Sequence, residues 1–207
     1  MPPVLSLNLM AEGASPHSPL SDAKAEIRVL NLLPGSPDET VRCELTMESL
    51  EEKPKYTALS YVWGDEKDTV TIILEGKEFP VTKNLRVALR NIRKEKESTR
   101  MWESKSYVRI AALRLTLCRD QIDALCINQS DNTEKAHQVR LMGKIYSNAH
   151  QTIIWLGDEG DDSSDVMDSI ANGVCTIAFL QAPGALQIIR ASFLFFQRPW
   201  WERVWVI

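Results

Sequence analysis

Apolar and polar positions alternate along the first half of the chain and switch to a helical period in the second. Ile27-Arg28-Val29 and Val41-Arg42-Cys43-Glu44-Leu45 have the two-residue period of half-buried strands and flank the turn-rich Pro34–Asp38 stretch, which predicts a β-hairpin. Thr57–Trp63 is more continuously apolar and predicts a buried strand. A second hairpin follows, Val70–Leu74 turning at Glu75-Gly76 into Phe79–Val81. Asn84–Arg93 changes period: Leu85, Ala88, Leu89 and Ile92 share one helical face and the opposite face is basic. Ile122–Gln129 is an apolar run ending abruptly in polar side chains, the pattern of a buried strand emerging at a sheet edge.

Asp131 can cap the next helix, with Glu134 at its third position and Ala136, Val139, Met142, Ile145 and Tyr146 as its buried stripe. Thr152–Leu156 predicts another strand. Acidic residues between Asp158 and Asp168 lead into a helix near 164–180, and a further helix over 185–196 carries Leu186, Ile189, Phe193 and Phe196. Pro199 suits the first turn of a last helix. Strand–helix alternation from residue 57 onward predicts an α/β fold, a mostly parallel sheet flanked by helices, with the N-terminal hairpins packed on it.

Composition narrows the class. The 207 residues, 44% of them hydrophobic, suffice for one domain, here 26–207, preceded by a Pro- and Ser-rich lead-in over 1–25 that suits a disordered segment. A net charge of −4 and pI near 5.5 argue against nucleic acid as a partner. The basic bias of residues 83–119 is read as a solvated helix face plus the insertion described below. No apolar run approaches a membrane span, and the N-terminus lacks the basic flank of a signal peptide, so a cytoplasmic protein is expected. Cys43, Cys118, Cys126 and Cys175 form no CxxC pair and read as reduced thiols. His17, His137 and His150 are too scattered for a zinc site, and the acidic run lacks EF-hand spacing, so no metal is expected.

Candidate chemistry gathers in a few blocks. Ser60-Tyr61 and Trp63-Gly64-Asp65 lie where a strand gives way to its loop. Gly64 would allow close backbone approach, Asp65 either forms a turn or meets a ribose hydroxyl, and Trp63 either stacks on a base or joins the core. Asp123 inside an apolar run is costly to bury alone; it either pairs with Arg198 or Arg203 or contacts a ligand. Cys126 reads as a buried thiol, with a nucleophile as the alternative. Asn128 and Gln129 serve as ligand contacts or as a loop brace. Glu134 acts as a cap or as a general acid, with Gln138 one turn further on. Arg198 and Arg203 could grip a phosphate or carboxylate bidentately. Trp200, Trp201 and Trp205 cluster, and Trp201 and Trp205 share a helical face that would close the core.

These blocks, Tyr56–Asp65, Ile122–Gln129, Gln138–Met142, Ile145-Tyr146, Ile154–Gly157 with Trp155, and Arg198–Ile207, resemble the heterokaryon incompatibility (HET) domain of filamentous fungi, in that family's order. The resemblance implies a signalling module of fungal non-self recognition and programmed cell death that works by self-association or by binding protein partners. HET domains also look distantly similar to TIR domains, which implies a TIR- or flavodoxin-like fold. It further implies NAD as a possible cofactor or substrate of an alternative, NAD-cleaving death effector. In that comparison the family continues past Trp-Val-Ile with Gln-Glu, and the carboxylate expected to be catalytic would lie beyond Ile207, so no catalytic residue is assigned and this chain is not expected to be an enzyme. In the family a Trp usually precedes the Ile-Asp-Ala-Leu-Cys block directly. Here Glu103–Gln121, 19 residues, separates Trp102 from Ile122, which reads as an insertion and, more specifically, as a retained intron translated in frame. A truncated or misannotated product without function is the remaining alternative.

Overall fold

In the computed structural model, residues 15–21, 24–95, 123–171 and 185–202 are described. The chain is mixed α/β. Strands β1 (Glu26–Leu32) and β2 (Arg42–Ser49) form the first hairpin, antiparallel from Glu26↔Ser49 to Leu32↔Cys43. Strand β3 (Thr57–Tyr61) follows, then the second hairpin, β4 (Thr69–Leu74) and β5 (Lys77–Thr82), which turns at Glu75-Gly76 with both residues at positive φ. A short parallel bridge, Arg42↔Ile73 and Cys43↔Leu74, joins the hairpins into one sheet of order β1-β2-β4-β5. Helix α1 (Lys83–Ile92) starts on Thr82, whose hydroxyl accepts from the Leu85 amide, and buries the four side chains its period singles out.

From residue 123 onward come α2 (Asp123–Cys126), α3 (Asn132–Asn148), β6 (Gln151–Trp155), α4 (Ser163–Ala171) and α5 (Ala185–Phe196), then a 3₁₀ turn over Pro199–Glu202. Strand β6 pairs in parallel with β3, in register from Thr57↔Gln151 to Tyr61↔Trp155.

Three expectations need correction. The Ile122–Gln129 run does not form a strand over its described part: Asp123–Cys126 is one helical turn, followed by a turn at 127–130. A short apolar run fits a buried helix turn as well as a strand, and periodicity cannot separate them. In consequence the expected mostly parallel sheet is not what the described strands make. Parallel pairing is confined to β3–β6 and the two-residue β2–β4 bridge, and both hairpins are antiparallel. The buried stripe of α3 is also displaced. Gln138, Leu141, Met142 and Ile145 face inward, Val139 and Tyr146 are half-buried and Ala136 is exposed.

The core has three parts. The largest gathers Leu30, Leu32, Ile72 and Leu74 of the sheet, the apolar face of α1, and Leu59, Tyr61, Ile153 and Trp155 of the parallel pair. A second places Met142 and Ile145 of α3 against Ile27 and Val29, the opposite face of β1. Leu125 and Cys126 belong to the first and Ile127 to the second, so the α2 turn links the two. A third, smaller cluster packs Val166 of α4 against Ala191 and Phe195 of α5. All five residues of β3 are buried, as expected of a strand covered on both faces.

Candidate functional site

Open α/β sheets bind ligands beyond the carboxyl ends of parallel strands. Here that edge is built from the loops after β3 and β6. Asn84, at the start of α1, ties them together: its amide donates to the Val62 carbonyl, and its side-chain oxygen accepts from Trp155 Nε1 at 3.0 Å. Gly64 has φ +79°, and a Cβ there would lie 3.4 Å from Asn84 Cβ, so the loop passes close to the helix start in a conformation suited to glycine. Asp65 takes the turn role: its carboxylate accepts from the Lys67 amide at 2.9 Å and its carbonyl from Asp68 at 3.1 Å. Trp63 is half-buried against the large core. Its indole N–H, like that of Trp201, has no hydrogen-bond partner among the described residues.

The C-terminal block closes on this edge. Trp200 is buried and donates through Nε1 to Ser60 Oγ at 3.0 Å, linking residues 140 apart in sequence. Tyr61 beside it lies wholly in the core. Trp201 meets Trp200, Phe195 and Phe196 with ring centroids 5.0–5.8 Å apart. Among the described residues Arg198 grips no acid. Its guanidinium donates to the carbonyls of Leu156, Asp158 and Gly160 at 3.1–3.2 Å and so fixes the loop after β6. Arg203 and Trp205 lie outside the described residues, as does the side chain of Asp123.

A second polar cluster lies under the first hairpin. Arg28, its side chain 1% exposed, donates to both oxygens of Glu134 at 2.6 and 2.9 Å, to the Cys126 carbonyl at 2.9 Å and to the Ser18 carbonyl. Glu134 also accepts from the Asn128 amide at 2.7 Å. Burial works to raise the Glu134 carboxyl, but the hydrogen bonds from Arg28 and Asn128 outweigh it and hold it below the usual carboxylate value. An ionised carboxylate engaged by three donors has no proton to give, so the geometry favours a brace over a general acid. Asp131 caps α3 through the amides of Thr133 and Glu134 at 2.9 and 3.0 Å. Glu134, in the position that would close a capping box, turns instead toward Arg28.

Asn128 braces its own turn, its side-chain oxygen accepting from Ser130 at 3.1 Å, and Gln129 beside it is half-buried. Gln138 is buried and donates to the Glu26 carbonyl at 2.8 Å. His17 reaches the same cluster, donating through Nε2 to the Leu125 carbonyl at 2.9 Å; burial, aided by the nearby Arg28 charge, lowers its pKa. Cys126 and Cys43 are buried thiols, and burial pushes Cys43 up to about 12. Cys118 and Cys175 lie outside the described residues. Among the described residues no group of three or more His, Cys, Asp or Glu is placed to hold a metal ion, and no helix is long and apolar enough to cross a membrane.

The model of the family described as Heterokaryon incompatibility protein (HET) matches residues 56–105 and 121–207, well over half of the chain. The chain belongs to the HET family. A curated relative, "Heterokaryon incompatibility protein 6, OR allele" of Neurospora crassa, is 37% identical over 166 residues, covering 73% of this HET chain and 22% of the relative. The chain thus spans about a fifth of the length of the curated relative it matches. No solved structure matches it.

Of the residues singled out from the sequence, the structure brings together Ser60 with Trp200, and Glu134 with Asn128, while Arg28 bridges Glu134 to the Cys126 carbonyl. It places Asp65 and Arg198 in separate loop contacts. Sequence reasoning missed Arg28, His17 and Asn84. Arg28 occupies a polar slot in an alternating strand and so reads as solvent-facing. The available signal was the short Ile27-Arg28-Val29-Leu30 stretch, where apolar residues on both faces mark a doubly covered strand. Asn84, the second residue of α1, carried no signal of its own.

Proposed function

We propose that this HET chain is a signalling module of fungal non-self recognition and programmed cell death, acting through self-association or through a protein partner. The observation that carries the reading is the coincidence of the family match with the assembled blocks: the β3 block and the C-terminal block, both inside the matched residues, are joined by the buried Ser60–Trp200 bond. The printed role of the Neurospora crassa relative, heterokaryon incompatibility, supports it. A non-enzymatic role fits the carboxylates at hand, since Glu134 is held by Arg28 and Asn128 and Asp65 by its own turn. A cytoplasmic location fits a sensor of cell fusion and is proposed with it.

The gap in the family match, residues 106–120, falls inside the 103–121 segment and supports reading that segment as an insertion. The more specific reading, a retained intron, predicts transcripts joining codon 102 to codon 122; messages that always carry the segment sink it.

The functional test is expression in a filamentous fungus of the chain fused to an inducible dimeriser, scored by vital-dye uptake and by cellular NAD. Death on induced dimerisation with NAD unchanged is the expected result. Death accompanied by loss of NAD would favour the TIR-like NAD-cleaving alternative. Unimpaired growth with the fusion assembled would mark the chain as a product without this function.

A further inference from the structure

Helix α5 is apolar on two sides. One side, Ala191 and Phe195, is buried against Val166 of α4. The other carries Leu186, Ile189, Phe193 and Phe196, which are 83%, 47%, 64% and 53% exposed. Their spacing of three, four and three residues is that of the a and d positions of a heptad, the stripe one helix presents to another. Scattered exposed apolar side chains need no explanation, but four in register along one helix form a contiguous patch. With typical side-chain areas they present on the order of 500 Å², near the upper end of what a monomer carries without a partner.

We propose that this stripe is the surface through which two copies of the chain associate, as an antiparallel pair of α5 helices about a twofold axis. The proposal rests on the self-association reading above and names its surface. The twofold arrangement is self-complementary. Centred near residue 191, it sets Leu186 against Phe196 of the partner subunit and Ile189 against Phe193 of the partner subunit, so that each ring faces a smaller aliphatic side chain. Side-chain size selects the direction, since parallel pairing would set Phe193 and Phe196 each against its own copy. Arg190, the single charged residue of α5, is exposed and flanks the stripe, so its guanidinium stays in water. Two such faces would bury about 1,000 Å² in total, the low end for a specific pair, so the dimer is weak and depends on concentration. That is the property required of a module triggered by being brought together.

Sedimentation velocity of the 207-residue chain, from about 1 to 200 μM, tests this. The expected result is a monomer–dimer equilibrium that Leu186→Glu weakens about tenfold or more, as does Phe193→Glu. Leu186 is so exposed that its substitution leaves the fold, followed by circular dichroism, unchanged. Met47→Glu, at an exposed apolar position on β2, leaves the equilibrium as it was. A chain that stays monomeric throughout, or a dimer indifferent to Leu186→Glu, overturns the proposal. Failure here is distinct from failure of the signalling reading. A monomeric chain that still kills on forced dimerisation removes only the surface, and a dimer inert in the fungus removes only the function.

Discussion

The buried Arg28–Glu134 pair concentrates the cost of a single substitution. Glu134→Ala leaves a guanidinium enclosed without its counter-charge and is expected to destabilise the chain by about 3–5 kcal/mol, whereas replacing both residues with Leu or Met should be far milder. Urea midpoints of the single and double variants check this. Two groups of the same cluster tie stability to pH with the same sign. The folded pKa of His17 lies below its ordinary 6.5 and that of Glu134 below its ordinary 4.5. In both cases the unfolded chain binds the proton first, so stability is fully present above the ordinary value and is lost as pH falls through the folded one. A urea series from pH 7.5 to 5.0 should show falling midpoints, and His17→Gln should flatten the decline above pH 5. At this scale the sequence was a partial guide. It offered Glu134 and its cap position, but the strand alternation that hides Arg28 is blind to a strand covered on both faces. The contact that orders Glu134 is 106 residues away.

Elements were more legible where local chemistry decides them. Both hairpins, α1 with its apolar face, and the cap of α3 follow from turn residues, period and an Asp ahead of a helical stripe. Asp131→Ala should therefore cost about 1 kcal/mol, the usual value for losing an N-cap, measured as a shift in thermal midpoint. Asp65→Ala, which removes a single turn bond in an exposed loop, should cost a few tenths at most. Where tertiary packing decides, the sequence was silent. The Ile122–Gln129 run is as apolar as any strand, but the helical turn lets the consecutive Leu125 and Cys126 both face the first core cluster, which the alternation of a strand would not allow. The inward face of α3 is set by β1 and by the Glu26 carbonyl that Gln138 meets, and neither is visible in the helix itself.

Across the molecule, the parallel β3–β6 pair is a long-range closure. Everything between Tyr61 and Gln151 has to be threaded out and back, and the segment over 103–121 lengthens that excursion. Deleting it shortens the connection between Glu95 and Asp123 from 27 residues to eight, which reduces the entropy of closure by about 1 kcal/mol and should raise the thermal midpoint by roughly 2–4 °C. A drop would mean that the segment contributes packing of its own.

The Ser60–Trp200 bond has a consequence for how the chain is made. Its two ends are 140 residues apart, and β3, with all five side chains destined for the interior, is synthesised long before β6 or the tryptophan block that covers it. At about 5–20 residues per second, the strand emerges from the ribosome on the order of ten seconds before its cover does. For that interval Thr57–Tyr61 is a naked sticky segment in a crowded cell. The nascent chain is therefore a natural client for a holding chaperone, and its yield should fall when such a chaperone is depleted, long before the finished protein is challenged.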